Sequence, residues 1–282
     1  MSLLRTVQHL IPARATSDGD GVKIRRVAGF ENARFSPFLM VDELKSDDKA
    51  DYIGGFPPHP HRGIETLTYM LQGHFQHRDH LGHVGELRSG GAQWMAAGRG
   101  VIHSEMPIME EGALHGFQIW INQPAKNKMQ PAQYHDFQSE TITEHRSEQE
   151  GLLRVIAGEL QLEHAQVTGP LQQTGVPVTV ADWQAQAGHT VQIQTPSHHN
   201  VMLYSYKGDI HLEDRTIRQG EMALLSQGEC FALRAEMESG VLIFVGEPIN
   251  EPVVHYGPFV MNSIEEIEQT IQDYNSGKFN TY

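Results

Sequence analysis

The stretch "FPPHPHRGIETLTYMLQG", residues 56–73, decides how the first half of the chain folds. From Ile64 onward it alternates like a β-strand, and side chains at positions i and i+2 of a strand point to the same face. His59 and His61 stand one residue apart just before that run, so an extended backbone would aim both imidazoles at one point. Unless the pair is a coincidence in a chain with 17 histidines, it predicts half of a metal site.

Composition limits the classes of protein to be considered. The chain has 282 residues, 39% of them hydrophobic, with a formal net charge of −14 and one cysteine, Cys230. This length suits one large or two ordinary domains. The negative charge argues against direct binding of nucleic acid or an anionic membrane, and a single cysteine excludes an intrachain disulfide framework. With no membrane-spanning run and no clear signal peptide, we expect a cytoplasmic protein, and we expect a monomer.

Short apolar or alternating runs recur between Gly, Pro and Asp residues, which is typical of an antiparallel barrel or sandwich. Examples are "TLTYML", "HGFQIWIN", "VMLYSY" and "GVLIFVG". A weak internal repeat relates "TYMLQGHFQHRDHLGHVGELRSGGAQWM" to "LYSYKGDIHLEDRTIRQGEMALL". The repeat predicts an all-β protein with two similar barrels in tandem.

One helix is predicted, in "NSIEEIEQTIQDYNSG" near the C-terminus. Ser263 and Glu266 have the spacing of a capping box, and Ile264, Ile267 and Ile271 form an apolar stripe at helical spacing. We therefore expect this helix to pack on the body of the protein. The predicted domain boundaries are an N-terminal metal-binding barrel over 1–135, a linker over 136–151, a C-terminal barrel without metal over 152–252, and a tail with the helix over 253–282.

The second half of the metal site is predicted in "AAGRGVIHSEMP", residues 96–107. His103 and Glu105 are again separated by one residue, and the preceding Gly98 and Gly100 permit a tight turn. Three imidazoles and one carboxylate suit a first-row transition metal and leave positions for water and substrate. Glu65 competes with Glu105 for the carboxylate position, and spacing alone does not choose between them.

A second group of histidines offers an alternative site. His74, His77, His80 and His83 recur at every third residue, a spacing that cannot converge from a strand. We interpret these four residues as a solvated hairpin and its turn, in which His77 at most reaches a pocket mouth.

The second repeat has no matching set of ligands. With Gly208 aligned to Gly73, the residues opposite the two pairs are Gln194 and Pro196, with either Ala232 and Arg234 or Phe231 and Leu233. No register supplies a second metal site, so we expect the C-terminal barrel to bind no metal.

Four segments closely resemble the pirins, a family with two cupin barrels. They are "GGFPPHPHRGIETLTYML", "QWMAAGRGVIHSEMP", "HGFQIWIN" and "GEPINEPVVHYGPFVMNSIEEI", within a resemblance from about residue 20 to about residue 275. The resemblance implies tandem cupin barrels of the jelly-roll type, with one mononuclear metal, usually iron as Fe²⁺, in the N-terminal barrel. It implies that His59, His61, His103 and Glu105 are the ligands and that Glu65 lies behind them. Nickel, copper, zinc, manganese or cobalt are expected to replace iron in purified protein.

The resemblance also implies quercetin 2,3-dioxygenase activity, with a flavonol and O2 as substrates. Glu105 or Glu65 would then be the base that takes the proton of the flavonol hydroxyl. The alternative is a regulatory protein that senses metal or redox state and binds a protein partner. Another cupin chemistry, such as sugar isomerisation, is disfavoured if Trp94, Met95 and Phe117 line the pocket.

Overall fold

The computed structural model describes residues 3–109 and 112–281 and consists mostly of β-strands, with one short α-helix near the C-terminus. The first half contains strands β1 (Val7–Pro12), β2 (Arg14–Asp18), β3 (Val22–Ala28), β4 (Phe38–Ser46), β5 (Phe56–His61), β6 (Ile64–Gln72), β7 (His74–Asp79), β8 (Val84–Arg88), β9 (Ala92–Ala96), β10 (Val101–Pro107), β11 (Leu114–Asn122), β12 (Gln133–Phe137) and β13 (Thr143–Ser147).

The second half contains strands β14 (Gly151–Ala157), β15 (Glu159–Leu162), β16 (Gln166–Thr168), β17 (Val178–Ala185), β18 (Thr190–Gln194), β19 (Asn200–Lys207), β20 (Ile210–Leu212), β21 (Arg215–Ile217), β22 (Glu221–Leu225), β23 (Cys230–Ala235), β24 (Ser239–Gly246), β25 (Val254–Tyr256) and β26 (Phe259–Met261). Helix α1 spans Ile264–Asn275, and short 3₁₀ turns cover Lys49–Asp51, Ala125–Asn127, Ser139–Thr141 and Lys278–Thr281. Within the described residues, no helix is both long and apolar enough to cross a bilayer.

The chain forms two compact units, each with two main antiparallel sheets, and β25 and β26 form a further two-stranded sheet in the N-terminal unit. The N-terminal unit comprises Arg14–Glu31, Pro37–Glu140 and Ile249–Tyr282, and the C-terminal unit comprises Met1–Ala13, Asn32–Ser36 and Thr141–Pro248. The N-terminal unit has a seven-stranded sheet, β12-β9-β6-β11-β4-β3-β2, and a four-stranded sheet, β5-β10-β7-β8. The C-terminal unit has a seven-stranded sheet, β1-β22-β19-β24-β17-β14-β13, and a six-stranded sheet, β16-β15-β18-β23-β20-β21.

These units group two segments differently from the predicted boundaries. Strand β1, predicted to lie in the N-terminal barrel, pairs with β22 of the C-terminal unit, where Leu10 lies opposite Ala223. The predicted linker is also partly strand, since β13 pairs with β14. Pairing with β1 covers an edge of β22 that would otherwise expose its backbone N–H and C=O groups.

The C-terminal unit is filled by one continuous apolar core to which both sheets contribute alternate residues. Trp183 and Ile243 come from the seven-stranded sheet. Ile193, Phe231 and Leu233 come from the six-stranded sheet, and all five are almost completely buried. Burial of each such side chain contributes about 2 kcal/mol, so this unit resembles an ordinary packed barrel.

One apolar cluster of the N-terminal unit joins its two main sheets. Val22 and Leu44 of the seven-stranded sheet pack with Phe75 and Leu87 of the four-stranded sheet. Phe75 lies opposite Pro107 in the β7–β10 ladder, so this core begins beyond Glu105. The remaining part of the barrel is lined by polar and aromatic residues that form a cavity.

Helix α1 begins with the predicted capping box. The Ser263 hydroxyl accepts a hydrogen bond from the Glu266 backbone N–H at 3.2 Å, and the Glu266 carboxylate accepts one from the Ser263 N–H at 3.2 Å. Ile267 is buried against Phe259, as predicted. Ile264 is 64% exposed, so its place in the predicted apolar stripe is wrong.

The helix is tied to the residue that follows His61. Arg62, whose side chain is 1% exposed, donates to the Thr270 hydroxyl at 3.1 Å and to the Asp273 carboxylate at 3.0 Å. Lys278 and Gln269 donate to the other oxygen of Asp273. Burial raises the pKa of Asp273, but the hydrogen bonds from Lys278, Gln269 and Arg62 outweigh it and lower the pKa to about 2.

We predict that Asp273→Asn destabilises the protein by about 3 kcal/mol near neutral pH, because it leaves the buried Arg62 guanidinium without its carboxylate. The depressed pKa of Asp273 contributes stability above its unfolded value that is lost as the pH falls toward about 2. Urea unfolding at several pH values should therefore show a full deficit at pH 6 that shrinks in acid.

Glu268→Gln is the matched control, since Glu268 is exposed on the same helix. Equal stability of the two variants at pH 6 would contradict the role assigned to the Arg62–Asp273 pair.

Candidate metal centre and cavity

Two neighbouring antiparallel strands bring three histidines together. His59 on β5 lies directly opposite His103 on β10, and His61 lies opposite Val101. The ring centroids of His59 and His103 are 4.4 Å apart, and those of His61 and His103 are 5.0 Å apart. The candidate ligand nitrogens of the three residues all lie within 4.8 Å of one another. The two predicted i, i+2 spacings therefore place these imidazoles at one point.

A glycine turn delivers β10 to this position. Gly98 has φ +50°, and a Cβ there would lie 2.1 Å from the carbonyl oxygen of Gln130, so a side chain is excluded. The Gly98 carbonyl accepts a hydrogen bond from the Gly63 N–H at 3.0 Å. Gly63 follows His61 by two residues, so the turn fixes the end of β5 against the start of β10.

The three imidazoles offer lone pairs that no hydrogen bond occupies. His61 Nδ1 and His103 Nε2 are buried and have no hydrogen-bond partner among the described residues. His59 Nδ1 lies 2.8 Å from the Pro57 carbonyl oxygen, which leaves Nε2 available. Burial, reinforced by the neighbouring histidines, holds the pKa of His61 and of His103 well below the usual range, so both rings are neutral. Convergent neutral imidazoles with unpaired nitrogens fit a divalent transition metal.

Glu105 lies beside this cluster on the same strand and lines the same cavity. Its two carboxylate oxygens accept hydrogen bonds from the Thr68 hydroxyl at 3.1 Å and the Gln118 amide at 2.9 Å. A register shift between His103 and Glu105 places Glu105 opposite Phe56. In the described residues, the group with ligand atoms within 4.8 Å of one another consists of the three histidines. Glu105 as a fourth ligand stays a prediction.

Glu65, the other candidate carboxylate, has a different environment. It lies on β6, is buried, and accepts a hydrogen bond from the Trp94 indole N–H at 2.9 Å. It is absent from the described residues that line the cavity, whereas Glu105 is present. Its role stays a prediction.

The predicted solvated histidine series is wrong for His77, which is buried. Strand β7 alternates, with Phe75, His77 and Asp79 directed inward and His74 directed toward Glu86 at the surface. His77 Nδ1 lies 3.3 Å from His103 Nδ1, and His77 Nε2 lies 3.4 Å from the Asp79 carboxylate. The period-two alternation that begins at Phe75 is the sequence signal that the spacing of three obscured.

Asp79 is held as a carboxylate at the end of the series of contacts from His103 through His77. It accepts hydrogen bonds from His83 Nδ1 at 2.7 Å and from the backbone N–H groups of Leu81 and His83. Burial raises the pKa of Asp79, but the hydrogen bonds from His77 and His83 outweigh it and lower the pKa to about 2.

The cavity next to the histidines has a volume of about 850 Å³ and a partly aromatic wall. Phe30 stacks on His255 with ring centroids 4.2 Å apart and meets Trp120 edge-on at 6.2 Å. The Trp120 ring also packs edge-on against His61 at 5.2 Å. These wall residues come from distant parts of the chain, and the sequence did not reveal them. Trp94, Met95 and Phe117 are buried but are not among the described residues that line the cavity, so the condition that disfavoured sugar isomerisation is not met.

A charged group forms another part of the wall. Arg26 donates two hydrogen bonds to the Asp42 carboxylate, at 2.8 and 2.6 Å, and one to Asp18. Burial raises the pKa of Asp42 although Arg26 lies beside it. Basic, acidic and aromatic side chains therefore all line the cavity.

The C-terminal unit has different side chains at the positions that correspond to the histidine cluster. The turn glycines Gly73 and Gly208 precede β7 and β20, so Phe75 corresponds to Ile210. Their ladder partners, Pro107 and Ala235, then correspond as well. Counting back from Gly73 and Gly208 placed Gln194 and Pro196 opposite His59 and His61. The strand pairing instead gives positions one residue earlier, because the loops after β5 and β18 differ in length.

The counterparts of His59, His61, His103 and Glu105 are Ile193, Thr195, Phe231 and Leu233. Three of these four side chains belong to the apolar core. Within the described residues, the C-terminal unit has no cluster of three metal-binding side chains.

Two family models match the chain. Residues 21–121 match the model described as Pirin, and residues 180–280 match the model described as the Pirin C-terminal cupin domain. A Vibrio cholerae protein named "Putative quercetin 2,3-dioxygenase" is 66% identical over 278 residues, which cover 99% of each chain. Human pirin is 36% identical, over 99% of this chain and 95% of its own. A quercetin 2,3-dioxygenase from Acinetobacter baumannii is structurally similar, with TM-score 0.89, 31% identity and 98% coverage of both chains.

We predict that the purified protein binds about one divalent metal ion per chain and that His61→Ala loses most of it, because a converging ligand is removed. The measurement is elemental analysis after dialysis of metal-free protein against Ni²⁺.

His164→Ala is the control, since His164 is exposed in the C-terminal unit. A metal content of His61→Ala equal to that of this control would contradict the site, and two ions per wild-type chain would contradict a single centre.

Proposed function

The chain belongs to the pirin family, and from this premise we propose that it is a metal-dependent dioxygenase that uses O2 to open the heterocycle of a flavonol such as quercetin. The observation that carries the proposal is the convergence of three histidines with unpaired nitrogens at an 850 Å³ cavity that also contains Glu105 and aromatic rings. The names of the Vibrio and Acinetobacter relatives support this substrate class.

The residues present fit a bound metal. His59, His61 and His103 would hold it, and we propose Glu105 as the fourth ligand and Fe²⁺ as the native ion. Three imidazoles and one carboxylate suit iron, although nickel, copper, zinc, manganese or cobalt would also bind such a set. When bound, the ion supplies Lewis acidity for a coordinated hydroxyl and an open position for substrate.

The chain's own part in the chemistry begins with orientation. A flavonol is planar and aromatic, and the Phe30, Trp120 and His255 rings offer surfaces on which such a molecule can stack. A cavity of this size holds a drug-sized molecule and excludes most water around it. The fused rings would then lie against the aromatic wall, with the hydroxyl and carbonyl of the heterocycle toward the histidines.

Glu105 is the proposed base. Its carboxylate lines the cavity and is oriented by Thr68 and Gln118, which donate to one oxygen each. A carboxylate oxygen has more than one lone pair, so a further acceptor position remains for the proton of the flavonol hydroxyl. The resulting flavonolate reacts with O2, both oxygen atoms enter the opened product, and carbon monoxide leaves.

The direct test is turnover. Metal-free protein reloaded anaerobically with Fe²⁺ is expected to consume quercetin and O2 in equal amounts and to release carbon monoxide, and protein loaded with other metals provides the comparison. If the protein binds metal but no metal-loaded form turns over quercetin, the proposed dioxygenase activity is contradicted and a regulatory role is favoured.

We predict that Glu105→Gln lowers kcat by about 10²- to 10⁴-fold at saturating metal, because glutamine keeps the shape but cannot accept the proton. Steady-state kinetics with metal content measured in the same sample separates this loss from weaker metal binding. Glu65→Gln is the matched comparison and should lose less. Full turnover of metal-saturated Glu105→Gln would remove Glu105 as base and make Glu65 the carboxylate to test.

We predict that Phe30→Ala raises KM for quercetin about tenfold and leaves metal content unchanged, because it removes a stacking surface of the cavity. Phe137→Ala, on β12 outside the described cavity lining, is the control for a lost phenyl ring. An unchanged KM for Phe30→Ala would show that the substrate does not use this wall.

A further inference from the structure

The two nitrogens of His103 have different surroundings. Nε2 is buried without a hydrogen-bond partner among the described residues, and Nδ1 lies 3.3 Å from Nδ1 of His77. A neutral imidazole that offers the Nε2 lone pair to a metal carries its proton on Nδ1. That proton then points at His77 Nδ1, which must be an acceptor.

The far side of His77 requires the same assignment. Its Nε2 lies 3.4 Å from an oxygen of Asp79, which as a carboxylate only accepts hydrogen bonds. His77 therefore carries its proton on Nε2, and its Nδ1 is left with a lone pair. Whether the assignment starts from Asp79 or from His103, His103 donates to His77 and His77 donates to Asp79.

The ring of His77 is held in place by its neighbours. It stacks on the Tyr134 ring, with centroids 4.4 Å apart and planes at 26°. Gly85 lies opposite His77 in the β7–β8 ladder, and a Cβ there would lie 2.0 Å from the Tyr134 hydroxyl oxygen. The Tyr134 hydroxyl donates to Asp136 at 2.7 Å, which fixes the ring from the other side.

We propose that His77 and Asp79 are positioning residues that fix the tautomer and orientation of His103 as a metal ligand. The proposal rests on the metal centre of the proposed function but not on its substrate. A carboxylate–histidine chain behind a ligating imidazole selects the nitrogen that faces the metal and increases the basicity of the ligand. Here His77 is inserted between the carboxylate of Asp79 and the ligating His103. Asp79 would therefore lie two imidazole rings away from a bound ion.

Metal affinity provides one test. Ni²⁺ is titrated calorimetrically into metal-free wild type, His77→Leu, His77→Asn and His74→Leu. His77→Leu removes the acceptor and should weaken Ni²⁺ binding by about 10- to 100-fold. His77→Asn places an amide oxygen near the former Nδ1 and should recover part of that loss. His74→Leu is the control, because His74 lies on the same strand but bonds to Glu86 at the surface.

Nitrogen-15 spectra of histidine-labelled, metal-free protein provide a second test that a merely structural role would not affect. We expect His103 protonated on Nδ1 and His77 protonated on Nε2, and we expect His103 to become a mixture of tautomers in His77→Leu. The opposite tautomer in wild type would overturn the proposal, even if His77→Leu folds poorly.

Failure of this inference is distinguishable from failure of the proposed function. Wild-type Ni²⁺ affinity in a folded His77→Leu variant overturns the inference and leaves the dioxygenase proposal intact. Weakened affinity in His77→Leu with recovery in His77→Asn supports the inference, even if no metal form turns over quercetin. A wild-type protein that binds no metal overturns both.

Discussion

The antiparallel register of β5 and β10 is the constraint on which the site depends. His59 lies opposite His103, and a slip of one residue would turn one of the two strands' side chains away from the cavity. Two buried basic side chains hold the backbone next to these strands. Arg62 Nε donates to the Arg99 carbonyl at 2.6 Å, and Lys128 Nζ donates to the Gly63 carbonyl at 2.8 Å. Each bond holds backbone next to a ligand strand, so the positions of the histidines depend on interactions outside the cavity.

The two units differ in the side chains that they place at equivalent ladder positions. At equivalent ladder positions the C-terminal unit has Ile193, Phe231 and Leu233, which fill its interior. The N-terminal unit has imidazoles and a carboxylate there and gives up that apolar burial. A cavity of about 850 Å³ lies beside these residues. Departures from an ordinary packed core are expected where a site is present.

Local patterns predicted the part of the site that lies on short strands. The i, i+2 spacing identified His59, His61 and His103, because side-chain direction within a strand follows from the sequence. Spacing did not choose between Glu65, four residues after His61, and Glu105, two residues after His103. Their difference comes from partners on other strands, since the Trp94 indole bonds to Glu65 while Thr68 and Gln118 bond to Glu105. Such contacts depend on tertiary packing, which spacing along one strand does not contain.

Long-range pairing decided the features that sequence patterns missed. Strand β1 has an ordinary strand composition, and nothing in its sequence indicates that it pairs with β22. His255 stacks on Phe30 although more than two hundred residues separate them. This stack forms part of the cavity wall, and helix α1 of the same C-terminal segment is held in place where Arg62 meets Asp273.

That dependence joins the end of the chain to the metal centre. Arg62 follows His61 directly, and the His61 ring is hydrogen-bonded to the backbone at Pro258 in the same C-terminal segment. Burial and the neighbouring His59 lower the pKa of His61, and the neutral imidazole is the form in which it can bind a metal. A ligand that binds only this docked arrangement adds its binding free energy to the stability of the tail. A metal held by His61 is therefore expected to stabilise the C-terminal segment against unfolding.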